Sequence, residues 1–361
     1  MHVLFESVRS NRLLWLLALV PLPFVVEALA PHAETALFVI SMLAIVPLAA
    51  LLSLATEQVA LRTGDALGGL LNATLGNLTE LLIAIAALRA GEYMLVKAAI
   101  AGAIVTNTLF MTGASLFLGG LRHHVQQFNS ASTKMQVALL VLAAFGLTVP
   151  SVMAETDAQV LPQPLSLVIA VLLLATYGLS LAFTLGTHAS HFAPKAADAP
   201  HEEGAWPLPA AVLTLLGTTL VVALVSEIFV ESLTGAATRL GLTPAFVGFV
   251  VVAIVGAAAE MTAAFSAARR NRLDLSLGIS FGSAVQIALF VAPALVLLSY
   301  VLGPAPMSLA FWPGAVAMIF MAALAASLTT AGGQSAWFLG VLMLVIYAIF
   351  AATLYVLPPV Q

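Results

Sequence analysis

Gly76-Asn77-Leu78-Thr79-Glu80 and Gly256-Ala257-Ala258-Ala259-Glu260 lie 180 residues apart, and the long apolar stretches they open align without a gap. The pairs Arg89/Arg269, Leu95/Leu275, Gly102/Gly282, Leu109/Leu289 and Phe110/Phe290 hold the same register. Each stretch therefore places a glutamate at the same point of apolar sequence. A carboxylate in that setting is costly in lipid and marks a functional site by default. Two at equivalent points of a repeat point to one shared cation site.

The rest of the chain sets the context. Hydrophobic residues make up 62% of it and charged residues 8%, which an ordinary soluble domain does not tolerate. At roughly 20 apolar residues per span, apolar segments fall near 13–30, 35–55, 67–88, 94–118, 135–153, 163–185, 207–230, 243–268, 274–300, 307–328 and 336–357. The expected fold class is all-α: a polytopic membrane protein of about eleven transmembrane helices. Trp15, Trp206, Trp312 and Trp337 fall near segment starts, as an interfacial aromatic belt would place them. The chain has no cysteine, which excludes disulfides and thiolate metal sites. A net charge of −4 identifies no partner, and no basic run points to nucleic acid. Arg9, Arg12, an apolar run and Ala28-Leu29-Ala30 resemble a signal peptide, but Pro31 argues for a retained first helix.

Positive charge sets the expected orientation. With a cytoplasmic N-terminus, Arg9, Arg12, Arg62, Arg122, Lys134, Lys195, Arg269, Arg270 and Arg272 lie inside, and only Arg89, Lys97 and Arg239 lie outside. The C-terminus then ends outside. The segments carrying Glu80 and Glu260 run in opposite directions, so the repeat has inverted topology, a construction typical of secondary transporters. The expected organisation is an extra helix (1–33), a first five-helix repeat (34–187), a polar cytoplasmic linker (188–206) and a second five-helix repeat (207–361). The linker carries His188, Lys195, Asp198, His201, Glu202 and Glu203. It reads as a solvated connection, with a cation- or pH-sensing role as the sharper alternative.

Gly76, Asn77 and Glu80 share one helical face. A glutamate beside an amide oxygen is a donor set for a hard cation such as Ca2+ or Na+, and Gly76 and Gly256 allow the helix to break and offer carbonyls. The competing reading is a packing glycine with a glutamate bonded to a neighbouring helix. The following segments present Gly102, Thr106 and Asn107 in one repeat and Gly282, Ser283 and Gln286 in the other. The small residues allow close helix approach, and the amides offer oxygens to a pathway or serve as interhelical glue. Glu57 ends the second segment, and Glu227 and Glu231 share a face of the seventh; these are candidates for proton relay or cation entry. His123 and His124 read as surface residues.

At these positions the chain resembles the cation/proton exchanger (CAX-type) family of the calcium/cation antiporter superfamily. The likeness runs through Thr56-Glu57, Gly68-Gly69-Leu70-Leu71-Asn72-Ala73-Thr74-Leu75-Gly76-Asn77 to Glu80, Gly102, Asn107, Gly113, Gly119-Gly120-Leu121-Arg122 and Phe128-Asn129. In the second half it runs through Ser226-Glu227, Phe246-Val247-Gly248, Ala253-Ile254-Val255-Gly256, Ala258-Ala259-Glu260, Asp274-Leu275, Gly282-Ser283 and Gln286 to Phe290. The resemblance implies Ca2+ export in exchange for protons, with Glu80 and Glu260 as central ligands and two five-helix halves around a polar linker. It also shows departures. Where the family's second block reads Gly-Asn-Ala-Ala-Glu-His, this chain has Ala257 and Met261. An acidic pattern expected near the last loop is replaced by Ala331-Gly332-Gly333-Gln334-Ser335-Ala336-Trp337. The expected site is asymmetric, and restoring Asn at 257 is expected to tighten Ca2+ binding.

The expected activity is thus Ca2+/H+ antiport by alternating access, with Na+ or K+ or another divalent ion as alternative cargo and a cation channel as the more distant one. An enzyme is not expected: there is no His-Glu-x-x-His, and Asp65, Asp157, Asp198 and Asp274 lie at segment ends or in loops. No Walker A lysine is present, which argues against an ATP-driven pump. No cofactor is expected beyond transported Ca2+. The partners are Ca2+, protons and the bilayer, in a form compatible with a homo-oligomer, and the expected location is the plasma membrane of a bacterium.

Overall fold

The computed structural model describes residues 12–63, 65–156, 162–188 and 206–357. In chain order its elements are α1 (Leu13–Leu29), α2 (Glu34–Thr63), α3 (Leu67–Leu75), α4 (Leu78–Arg89), α5 (Tyr93–His123), β1 (Val125–Gln127), α6 (Ser130–Glu155), α7 (Gln163–Thr187), α8 (Leu208–Leu240), α9 (Pro244–Gly256), α10 (Ala258–Arg269), α11 (Leu273–Leu302), α12 (Pro313–Thr330), β2 (Gln334–Ala336) and α13 (Trp337–Val356). Among the described residues eight helices are long and apolar enough to cross a membrane. Two further candidate spans are bent pairs, α3 with α4 by 42° and α9 with α10 by 59°. The first expected span, α1, is shorter and starts as a tight 3₁₀ turn over Arg12–Leu19 before Pro21. The polar linker lies largely outside the described residues, as does Arg9.

Local chemistry sets several boundaries. The Thr243 side chain caps α9 by accepting the Phe246 N–H (3.2 Å), with Pro244 at the first helical position. α8 stops at Gly241, whose φ of 66° suits a residue without a Cβ. The tenth segment was expected from residue 307, but α12 starts at Pro313. Gly303, Pro304 and Pro306 withhold helical geometry, and residues 303–312 form a non-helical strap instead.

The chain divides into two compact units, Met1–Ala86 with Gly178–Gly241 and Ala87–Tyr177 with Leu242–Gln361. Each draws on both sequence repeats. In the first, α2 and α8 run antiparallel along their lengths. Phe38 stacks on Phe229 with ring centroids 5.1 Å apart. At one end Glu34 meets Arg239 at 3.4 Å. At the other, Gln58 Oε1 accepts the Trp206 N–H (2.8 Å), and Arg62 Nε donates to the Trp206 carbonyl (2.9 Å). Trp206 itself is 1% exposed and packs with Ala55, Val59 and Ala211. It fills a core gap where two helix ends meet, so the interfacial-belt reading fails for this tryptophan.

In the second unit α5 packs on α9 at backbone distance. A Cβ on Gly102 would meet Phe249 Cα and carbonyl oxygen, and one on Gly248 would meet Ala98 and the Leu95 carbonyl. α11 lies against α5 and α6, α12 against α6, and α13 against α5. The unit has two distinct ends. At the ribbon end β1 and β2 pair antiparallel with Gln126 opposite Ser335, and Asp274 Oδ1 accepts the Asn129 N–H. At the strap end side chains from α5, α6, α7 and α11 bind the main chain of residues 305–311. Tyr93 OH donates to the Ala305 carbonyl and accepts its N–H, Gln163 Nε2 donates to Pro306 O, and Ser299 Oγ accepts the Met307 N–H. Ser166 Oγ accepts the Leu309 N–H, Lys97 Nζ donates to Ala310 O (2.6 Å), and Ser151 Oγ accepts the Phe311 N–H.

Candidate cation site

The expected helix breaks occur in both repeats at the same place. In the first, the Gly76 N–H closes onto Asn72 O (2.9 Å) and the ladder resumes with the Leu81 N–H on Asn77 O (3.1 Å). In the second, the Ala257 N–H closes onto Ala253 O (3.2 Å) and the ladder resumes with the Met261 N–H on Ala257 O (2.9 Å). Asn77 and Ala257 thus hold the N-cap positions of α4 and α10, and a break of this kind withdraws the ladder donors from the carbonyls just before it. Asparagine is a favoured N-cap residue; alanine has no side chain to cap with, and none does so here.

Glu80 and Glu260 occupy the third residue of their half-helices, in the first turn, where the helix dipole is positive. They belong to different compact units, and their settings differ. Glu80 is 8% exposed, between Asn77 at 1% and Thr79 at 5%, and its Oε1 has no hydrogen-bond partner among the described residues. Glu260 is half-buried beside the apolar cluster of Met111, Ala257, Met261 and Ala264. Gly256 is buried and Gly76 half-buried. Among the described residues no three histidine, aspartate or glutamate side chains gather as a metal cluster.

The candidate pathway residues divide sharply. Asn107 and Ser283 come together: Asn107 Nδ2 donates to Ser283 Oγ at 2.7 Å, with Asn107 fully buried in a π-turn over Thr106–Met111. Gln286 is 6% exposed, immediately before a second π-turn over Ile287–Val291, and its Nε2 has no partner among the described residues. π-turns inside helices recur at functional sites. Gly102 is held by close packing on Phe249, whereas a Cβ on Gly282 would meet nothing within 4 Å. Glu57 is exposed and lies within α2, which continues to Thr63 rather than ending near Glu57. Glu227 is half-buried and Glu231 exposed, next to the fully buried Ser226. His123 Nε2 lies 3.0 Å from the Arg269 carbonyl, tying β1's approach to the end of α10. The sequence reading passed over Ser276, Ser280 and Ser115, all fully buried. The spacing of Ser276, Ser280 and Ser283 along one face of α11 is the signal that finds them.

The sequence pattern of the sodium/calcium exchanger protein family matches residues 33–186 and 210–356. A Ca(2+)/H(+) antiporter of Synechocystis sp. is 38% identical over 98% of this chain and 99% of its own length. The Ca(2+)/H(+) antiporter ChaA of Bacillus subtilis is 34% identical over 96% of this chain and all of its own. Among solved structures, native YfkE superposes with a TM-score of 0.81 at 32% identity, covering 94% of this chain and 98% of that one.

Proposed function

Because the chain belongs to the sodium/calcium exchanger protein family, we propose that it is a membrane antiporter that exchanges Ca2+ for protons. The observation that carries this reading is the buried Glu80 carboxylate at a helix break, with one oxygen unclaimed by protein donors. An ionised carboxylate in a low-dielectric interior needs a cation or a proton to offset its desolvation. Ca2+ and protons therefore compete for the carboxylates of Glu80 and Glu260, and alternating access carries whichever is bound. Asn77 and the carbonyls at Gly76 and Gly256 complete the donor set, with Asn107, Ser283 and Gln286 as neutral groups along the pathway.

The coupling needs no cofactor and no covalent chemistry, so the protein is a carrier rather than an enzyme. Its expected seat is a bacterial plasma membrane with the N-terminus cytoplasmic, and a homo-oligomer is compatible with this reading. In proteoliposomes, Glu80→Gln and Glu260→Gln should each abolish ΔpH-driven uptake of radiolabelled Ca2+. Retained uptake in either would remove that acid from the shared role. Apparent Ca2+ affinity should fall as pH is lowered, since protons occupy the same oxygens.

Ala257 and Met261 favour a second reading in which the cargo is another divalent ion or Na+ or K+, because that half lacks an amide oxygen. Inhibition of Ca2+ uptake by each competing ion separates the two.

A further inference from the structure

Among the buried polar atoms of the second unit without a hydrogen-bond partner among the described residues are Asn107 Oδ1, Ser115 Oγ, Ser276 Oγ and Gln126 Oε1. Their residues are 0%, 0%, 0% and 2% exposed. Asn107 and Ser115 stand on α5 where it meets α10 and α11, Ser276 on α11, and Gln126 at their ribbon-end margin. The two helices run antiparallel there: α5 leaves the strap end at Tyr93 and reaches the ribbon at Gly119, while α11 starts beside Asn129 and ends beside Met307.

The Asn107–Ser283 bond fixes their register. Two turns back along α11 from Ser283 is Ser276, and two turns forward along α5 from Asn107 is Ser115. The first step takes seven residues and the second eight, because the π-turn at Thr106–Met111 adds about one residue to the count. Both serines therefore share the face of the Asn107–Ser283 pair, about 10 Å nearer the ribbon. Ser280 lies between them on α11, its Oγ donating to Ser276 O (3.0 Å), and Thr112 Oγ1 donates to Asn107 O (3.1 Å). One turn beyond Ser115 is Gly119, where the Gln126 carboxamide oxygen occupies the space a Cβ would take. Gln126 Nε2 donates to Ala268 O (2.9 Å) and Asn271 Oδ1 (3.0 Å), which fixes its oxygen toward α5.

Each such orphan costs about 1–3 kcal/mol if it stays unsatisfied, and ordered water is the usual remedy for a polar row of this kind. The row holds only hydroxyls and amides; Asp274 and His123 stand at its ribbon end, bonded to Asn129 N–H and close to Arg269 O respectively. Without carboxylates it cannot replace the hydration shell of a divalent cation. It can hold waters, which pass a proton by breaking one O–H bond as the next forms, with a net transfer of one proton and no other reactant. We infer that the interface of α5 with α11 and α10 carries a file of ordered waters that conducts protons between the Asn107–Ser283 pair, on the shared pathway, and the ribbon end, a branch the cation does not use. This rests on the proton-coupled reading above.

The test compares two fluxes of the full chain in liposomes. Ca2+/Ca2+ self-exchange needs no net proton movement, whereas ΔpH-driven Ca2+ uptake does. The double variant S115A/S276A should keep wild-type self-exchange and lose about tenfold in ΔpH-driven uptake, the factor set by about 1.4 kcal/mol on a barrier. S115T/S276T, which retains both hydroxyls, should keep both rates. Wild-type ΔpH-driven uptake in S115A/S276A, or an equal loss of both fluxes, would overturn the proton file. If the wild-type protein moves no Ca2+, the exchange reading fails instead. A high-resolution map of the wild type then decides the file: water density within hydrogen-bond distance of Ser115 Oγ and Ser276 Oγ supports it, and a dry interface overturns it.

Discussion

An acid in the first turn of a half-helix faces a concentration of unbonded N–H groups, so its ionised form is favoured by the dipole while burial opposes it. Glu80 and Glu260 share that position, but their N-cap residues do not match. Ala257 is 0% exposed and packs with Met111, Met261 and Ala264, which complicates the expectation that Asn at 257 tightens Ca2+ binding. Ala257→Asn alone places an amide against two methionines and should lower stability by about 1–3 kcal/mol, read as an earlier thermal transition in detergent. Pairing it with Met261→His, which gives the amide a polar neighbour, should recover part of that loss and bind Ca2+ more tightly than Ala257→Asn alone by calorimetry. The repeated glycines separate in the same way. Gly102→Ala drives a Cβ into the Phe249 backbone and should cost about 1–3 kcal/mol or prevent folding, whereas Gly282→Ala meets open space and should melt as the wild type does. Both glycines are identical in sequence register, so nothing short of the packing partner could tell them apart.

At the level of elements, the helix breaks were legible because a glycine, a cap position and an acid recur at one spacing in both repeats. The strap was not. Met307-Ser308-Leu309-Ala310-Phe311 is apolar enough to read as the start of a span, and its prolines alone hint that it is not helical. What makes it a separate element is tertiary: six side chains supply the hydrogen bonds a helix would have supplied itself. Lys97 is one of them, reaching both Ser308 Oγ (3.3 Å) and Ala310 O. The expected orientation counts it as a loop charge, yet its ammonium group is engaged within the fold. Lys97→Met should speed amide hydrogen exchange across residues 307–311 while leaving exchange in β1 unchanged; equal protection in both proteins would deny Lys97 a role in holding the strap.

For the molecule as a whole, hydrogen bonds sort the loops of the second unit into two sets. Residues 123–129, 268–274 and 333–336 meet at the ribbon end, and residues 91–97, 163–166 and 303–311 at the strap end. That grouping alternates along the chain as the expected spans require, and it makes topology measurable. The cysteine-free chain accepts single reporters directly. Gln127→Cys and Gln334→Cys should react with a membrane-impermeant thiol reagent from one face of the membrane, and Glu92→Cys and Pro304→Cys only from the other. Labelling of all four from one face would refute the alternation.

The strap is recognised through its peptide groups, and that distributes mutational tolerance unevenly. Tyr93, Lys97, Ser151, Ser166 and Ser299 contact N–H and C=O groups that any residue can present, except that proline lacks an N–H. This recognition leaves the exposed strap side chains free, while Met307, Leu309 and Phe311 are held by burial and Ser308 by Lys97. Sequence drift among related chains should therefore concentrate at the exposed Pro304, Ala305 and Pro306, while the distant serines that hold this segment stay fixed. Variation would then be confined to the one exposed edge of a passage that the fold otherwise holds by its backbone and its buried side chains.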